Sequence, residues 1–188
     1  MFLLDESIRA DLFRYAGAVS YKLFFKFLFV PGFRFTFFLR KCNKHGKKSF
    51  KGVLYRLLYR RYLFKYGIQI YPSTQIGHGF YMAHFGNIVV NPQAKIGSNC
   101  NVAQGVTIGQ SNRGAKKGSP TIGNCVWIGP NSVVVGNIVI GDNVLIGGGA
   151  MVNIDIPSNS IVIGNPCTVI PKMGAIDGYI TNKYFAKD

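Results

Sequence analysis

The sequence predicts an all-β parallel β-helix preceded by a helical segment, and three observations carry that expectation. From Gly67 onward aliphatic residues recur every six positions, glycine follows many of them, and charge and aromatic content change abruptly near the same point. Ile122, Ile128, Val134, Ile140, Ile146 and Val152 are spaced by six without a gap. Val90, Ile96, Val102 and Ile108 form a second run, and Ile70, Ile76 and Met82 a third. A helix would repeat its apolar positions every ~3.6 residues and an ordinary strand every ~2. A period of six instead sends an aliphatic side chain inward on each short flat side of a three-sided coil. One coil cannot bury its interior alone, so stability comes from stacking. The residue after the aliphatic position is often Gly, or Asn as in Val90-Asn91 and Val152-Asn153. It is expected to supply a corner conformation that costs other residues more.

The runs are out of register at two places. Met82 to Val90 is eight residues, so a bulge is expected around His84-Phe85-Gly86-Asn87. Ile108 to Ile122 is fourteen, and the intervening Gln110–Ser119, QSNRGAKKGS, is polar, basic and rich in turn formers. That segment, 110–119, is expected to leave the coil as a loop. Breaks in a repeat are where loops and function concentrate.

Residues 1–66 read differently. They hold 15 Lys/Arg against 3 Asp/Glu and 12 of the 15 Phe, whereas 67–188 hold 7 Lys/Arg against 4 Asp/Glu. A helix capped by Ser20 and ending before Pro31-Gly32 is expected, then one from about Phe33 to Gly46 behind a Lys-rich last turn. A third fits Lys51 to Tyr66, with Leu54, Leu58 and Tyr62 on one stripe, Arg56 and Arg60 on another, and Gly67 closing it. The expected division is a basic aromatic segment 1–66, a coil 67–172 and a tail 173–188.

Composition excludes several classes. Nearly half the residues (48%) are hydrophobic, enough for a packed core. The 23 glycines show no triplet period, so collagen is excluded. Cys42, Cys100, Cys125 and Cys167 form no C-x-x-C pair, so neither a zinc ribbon nor a redox motif is present; reduced thiols in a cytoplasmic protein, with no metal, are expected. MFLLDES lacks the basic start of a secretion signal. The apolar run Phe27–Phe33 is far short of the ~20 residues that cross a bilayer. The basic segment shows no nucleic-acid motif, so no nucleic-acid partner is expected.

Segment 67–172 resembles the hexapeptide-repeat acyltransferases, most closely their serine acetyltransferase branch. The resemblance rests on Ile76-Gly-His-Gly-Phe-Tyr-Met-Ala-His84-Phe-Gly-Asn-Ile-Val-Val, on Val106-Thr-Ile-Gly109 with its Gly/Lys-rich loop, on Ser119-Pro-Thr-Ile-Gly, and on the closing Ile163-Gly-Asn-Pro166. It implies a left-handed coil, acetyl-CoA as co-substrate and a homotrimer with CoA in the groove between neighbouring coils. Three positions depart from the branch. Gln69 in Gln69-Ile70-Tyr71-Pro72 stands where the branch has an aspartate that orients the histidine. Ala83 stands where an aspartate helps to hold serine, and Gly118-Ser119-Pro120 replaces an Arg-His before the proline. The whole-chain pattern, with Pro31-Gly-Phe-Arg-Phe and Tyr66-Gly-Ile-Gln-Ile-Tyr-Pro, is similar to acetyltransferases of capsule, exopolysaccharide and O-antigen pathways. The expected acceptor is therefore a hydroxyl of a sugar or lipid-linked oligosaccharide, with serine as the alternative and a non-catalytic scaffold as a third reading.

The resemblance assigns His84 as the base for the acceptor hydroxyl, a task that suits an imidazole titrating near neutrality. A backbone N–H near Gly109–Gln110 is assigned to the oxyanion. A backbone carbonyl, Gln69 or Asn87 is expected to fix the His84 tautomer. Gly129, Pro130, Gly147 and Gly148 are expected along the pantetheine groove, with corner packing as the plain alternative for each glycine. Lys172 and the loop's Arg113, Lys116 and Lys117 are expected to meet the CoA phosphates or an anionic acceptor, with solvated surface charge as the alternative; Ser119 is placed with the acceptor. His78 reads as an exposed corner residue and His45 as solvated. For 1–66 two readings stand together: a peripheral membrane face, and a cap over the end of the coil.

Overall fold

The computed structural model describes residues 4–185; Met1–Leu3, part of the stretch read for a secretion signal, and the last three residues of the tail lie outside it. Four helices come first: α1 Glu6–Ala16, α2 Tyr21–Phe27, α3 Pro31–Lys44 and α4 Phe50–Tyr66. Ser20 caps α2 through Leu23 N–H, and Gly67 closes α4 in the left-handed conformation. Helix α3 starts on Pro31, whose missing N–H costs nothing in a first turn. Helix α1 was not expected, although Asp5 caps it and the left-handed Gly17 ends it.

From Ile68 the chain winds through three parallel sheets, one per side. The first face stacks Ile68–Ile70, Ile88–Val90, Thr107–Gly109, Val133–Val135 and Met151–Val152. The second stacks Gln75–Ile76, Lys95–Ile96, Thr121–Ile122 and Val139–Ile140. The third stacks Asn101–Val102, Trp127–Ile128, Val144–Ile146 and Ser160–Ile163, with Thr168–Pro171 folding back antiparallel on the last. Partners keep the six-residue register, Ile96 beside Ile122 and Val102 beside Ile128. The repeat residues are buried along the axis, from Ile70 and Met82 to Val152 and Val162, with Ile76 half-buried.

The corner glycines have a different cause from the one expected. Gly77, Gly97, Gly123 and Gly141 do not adopt positive φ; that conformation falls two residues later, on Gly79, Asn99, Cys125 and Asn143. A Cβ on Gly97 would lie 2.5 Å from the Gly123 carbonyl oxygen, and one on Gly123 2.9 Å from Gly141. Glycine is required there because successive coils approach too closely for a side chain. Asparagine takes the left-handed positions because its short polar side chain tolerates them.

The helices cover one end of the coil. Phe35, Leu39 and Cys42 of α3, with Tyr59 and Tyr66 of α4, join the core that runs through Ile68, Phe80 and Ile88. The packed face of α4 is thus a tyrosine face; of the stripe expected from Leu54, Leu58 and Tyr62, Tyr62 packs on the core and Leu54 is exposed. Asp11 and Arg40 tie α1 and α3 to the first coil. Arg40 donates to both Asp11 carboxylate oxygens and to the Ile76 and Gly77 carbonyls, while Asp11 accepts from Phe80 N–H. The tail lies over the third face, burying Ala175, Ile176 and Ile180 against Leu145. The cysteines are unpaired; burial pushes Cys42 up to about 11 and Cys100 to about 12, so both stay protonated. Among the described residues no helix is long and apolar enough to cross a membrane, and no three His, Cys, Asp or Glu side chains gather as a metal would need.

Candidate active site

Each coil turns from its third face to its first through a corner, and these corners stack along one edge. Gly105 N–H donates to Gly86 carbonyl, Asn131 N–H to Gln104 carbonyl and Gly149 N–H to Pro130 carbonyl, each at about 3 Å. The lowest corner, Met82 to Asn87, carries the two extra residues. Gly86 and Asn87 absorb them with φ of 113° and 50°. His84 is exposed at its apex.

The imidazole lines a cleft of about 330 Å³ with Tyr81, Asn101, Gln104, Trp127 and Pro130. The walls are held from behind by α1. The Tyr15 hydroxyl accepts from Met82 N–H (3.0 Å) and donates to Met82 carbonyl (2.8 Å), two residues before His84. Burial drives the Tyr15 phenol far above its usual range, so it stays a neutral donor. Tyr15 also packs on the Tyr81 ring at 4.3 Å, and Arg14 donates to the Asn101 side chain. Tyr179 of the tail buttresses Trp127 at 4.9 Å. Tyr15→Phe leaves both Met82 groups unpaired and is expected to cost about 1–3 kcal/mol. Chemical denaturation of the two proteins measures it, and turnover should fall as the His84 corner loosens.

The remaining candidates divide by edge. Gly129, Pro130, Gly147 and Gly148 share the edge of His84, but a Cβ on Gly129 would lie 2.7 Å from Gly148 nitrogen, so coil packing alone explains that glycine. Gly109 and Gln110 sit at the opposite end of the first face, one full side away. Six residues separate Gln104 from Gln110, up to ~20 Å of extended chain. His84 and the 109–110 backbone are therefore not brought together within one chain: the width of the first face keeps them apart. The loop folds onto that far edge, with Ser111 and Gly118 paired, Gln110 and Ser119 hydrogen-bonded to Asn91, and Lys116 bonded to Asp155 at 2.6 Å. Arg113 and Lys117 are exposed. Lys172 is anchored by its backbone to Asn159, at the other end of the third face from His84's edge.

Gln69 and Asn87 line a separate cavity of about 720 Å³ over the first face, with Tyr71, Val89, Thr107 and Phe64. The Gln69 amide donates to the Tyr71 hydroxyl at 2.9 Å, not to His84. Sequence reasoning missed Tyr15, Tyr81, Asn101, Gln104 and Trp127. Tyr81 lies within the stretch around His84 but carries no assigned role there; Asn101, Gln104 and Trp127 reach the cleft from the next two coils, and Tyr15 supports its wall from α1.

Stacked three-sided coils with an exposed imidazole at a lengthened corner define a hexapeptide-repeat transferase. Residues 119–153 match the family model "Bacterial transferase hexapeptide (six repeats)". A serine acetyltransferase of Helicobacter pylori is 32% identical over 145 residues, 77% of this chain and 84% of that protein. One of Synechococcus elongatus is 39% identical over 108 residues, 57% of this chain but only 44% of that protein's length. A Neisseria gonorrhoeae serine acetyltransferase crystallised with serine superposes with a TM-score of 0.70 at 29% identity, covering 87% of this chain and 67% of that one. The chain belongs to the serine acetyltransferase family, and its coil has that family's left hand.

The expected polysaccharide acetyltransferase is overturned by these relatives, which are serine acetyltransferases. Three side-chain departures outweighed a shared framework in that expectation. Single positions in a corner or loop can change while the stacked backbone that identifies a family stays the same.

Proposed function

We propose that this chain is an acetyl-CoA-dependent O-acetyltransferase whose acceptor is serine, acting in the cytoplasm as a homotrimer. The observation that carries the reading is the exposed imidazole of His84 over a cleft, in a chain of this family. The cleft suits a thioester arm: Trp127, Pro130 and Tyr81 offer apolar walls, and Gln104 offers a polar group among them, while the Asn101 side chain is held by Arg14 and the Tyr179 carbonyl.

His84 takes the proton of the serine hydroxyl as that oxygen attacks the thioester carbonyl carbon. The carbon–oxygen bond forms, the carbonyl electrons move onto oxygen, and backbone N–H groups stabilise that charge. The tetrahedral species then collapses, the carbon–sulfur bond breaks, and the imidazolium returns its proton to the departing thiolate. The products are O-acetylserine and free CoA. The oxyanion donors at Gly109–Gln110 come from a second copy, whose far edge lies beside this chain's His84 edge in a closed ring. Contact of 1–66 with a membrane surface belongs to the same reading.

Gln69 gives His84 no carboxylate, so the imidazolium gains less in the transition state, and Ala83 gives the serine ammonium no counter-charge. Free thiol released from acetyl-CoA, measured with and without serine, tests the proposal. Serine-stimulated release is expected, and Ala83→Asp is expected to lower KM for serine. Release that ignores serine at every concentration refutes serine as the acceptor.

A further inference from the structure

Helix α4 is apolar on two opposite faces, and the fold covers only one. Tyr55, Tyr59, Tyr62 and Tyr66 turn inward onto α3 and the coil. Phe50, Val53, Leu54, Leu57 and Phe64 turn outward and are 85%, 46%, 45%, 62% and 70% exposed. At 3.6 residues per turn those five fall within an arc of about 100°, directly across the helix from the tyrosines. A helix apolar all round is normally buried all round, and an apolar stripe left in water marks an interaction surface.

The charge identifies what covers it. Arg60 lies on one flank of the stripe, Lys51 and Lys65 on the other, and Arg61 within it; all four are exposed. No acidic residue occurs in the sequence between Asp11 and Asp142. The ion pairs of the described residues include no cation of α4. A second copy docking through the same face would set these cations against their own equivalents, a repulsive arrangement. An anionic bilayer surface satisfies both features. The apolar side chains enter the headgroup boundary, and the Lys and Arg stems extend outward to the phosphates.

We propose that the outer face of α4 is a peripheral binding surface for anionic phospholipid, with the helix lying in the interface plane and Phe50, Leu54 and Leu57 inserted. The contact holds the enzyme at a membrane without crossing it and does not depend on the acceptor.

Sedimentation of the full chain with vesicles tests this, using phosphatidylcholine alone and phosphatidylcholine mixed with phosphatidylglycerol. Wild type is expected to bind the mixed vesicles at least about tenfold more tightly than the neutral ones. The double substitution Leu54→Ser/Leu57→Ser keeps every charge. It is expected to weaken binding to mixed vesicles about tenfold or more, with circular dichroism and acyl transfer in solution unchanged. Equal binding of wild type to both vesicle types overturns the proposal, as does equal binding of variant and wild type to the mixed vesicles. Self-association that the double substitution abolishes, with no vesicle binding by wild type, assigns the face to a second copy instead.

Discussion

Replacing His84 by alanine is expected to lower turnover by about 10²–10⁴-fold, the range that a positioned acid–base group contributes. The side chain is exposed and lines the cleft without supporting the coil, so the fold should survive. CoA binding should survive too, because Trp127, Pro130 and the stacked corners above them are untouched. The informative result is therefore a split: kcat collapses while calorimetric CoA affinity and the melting curve stay near wild type. Loss of CoA binding would make His84 a structural or ligand-holding residue. Unchanged kcat would put the base elsewhere.

Arg40→Ala is expected to have the largest effect on stability. Arg40 and Asp11 are 7% and 1% exposed, and each serves more than the other. Arg40 also binds the Ile76 and Gly77 carbonyls, and Asp11 also binds Phe80 N–H. Removing the guanidinium strands a buried carboxylate and two carbonyls, at a cost of about 3–5 kcal/mol. For a chain of this size that lowers Tm on the order of 10 °C. The double variant Asp11→Leu/Arg40→Met should recover part of the loss, because an apolar pair leaves no charge unpaired, but Phe80 N–H still lacks its acceptor. Thermal melts of the single and double variants measure both effects. A loss below about 1 kcal/mol for Arg40→Ala would show that water replaces the network.

The coil was legible because its cause is local and repeated. An inward aliphatic every six residues leaves few alternatives, and the two breaks in spacing located the lengthened corner at His84 and the loop after Gly109. What required the next coil was not legible. Gly97 reads as a φ requirement from sequence, yet its reason is Gly123 across the stack. Helix α1 has both its caps in the sequence, but its work is done by Asp11, Arg14 and Tyr15 on residues some 70 to 90 positions away. The tyrosine face of α4 was not legible because Leu54 and Leu58 fit a helical stripe as well as Tyr55, Tyr59, Tyr62 and Tyr66 do. The separation of His84 from Gly109 follows from which corner each occupies, and only the sheet order reveals that.

The shared site between copies is tested most directly by mixing two inactive chains. His84→Ala keeps the Gly109–Gln110 backbone, and Gln110→Pro keeps the imidazole while removing the N–H assigned to the oxyanion. Unfolded together and reassembled at equal amounts, they should regain about a quarter of wild-type turnover, because that fraction of interfaces joins one intact edge to another. Turnover no greater than the sum of the two variants alone, in mixtures that reassemble fully, would contradict a site completed by a neighbouring copy.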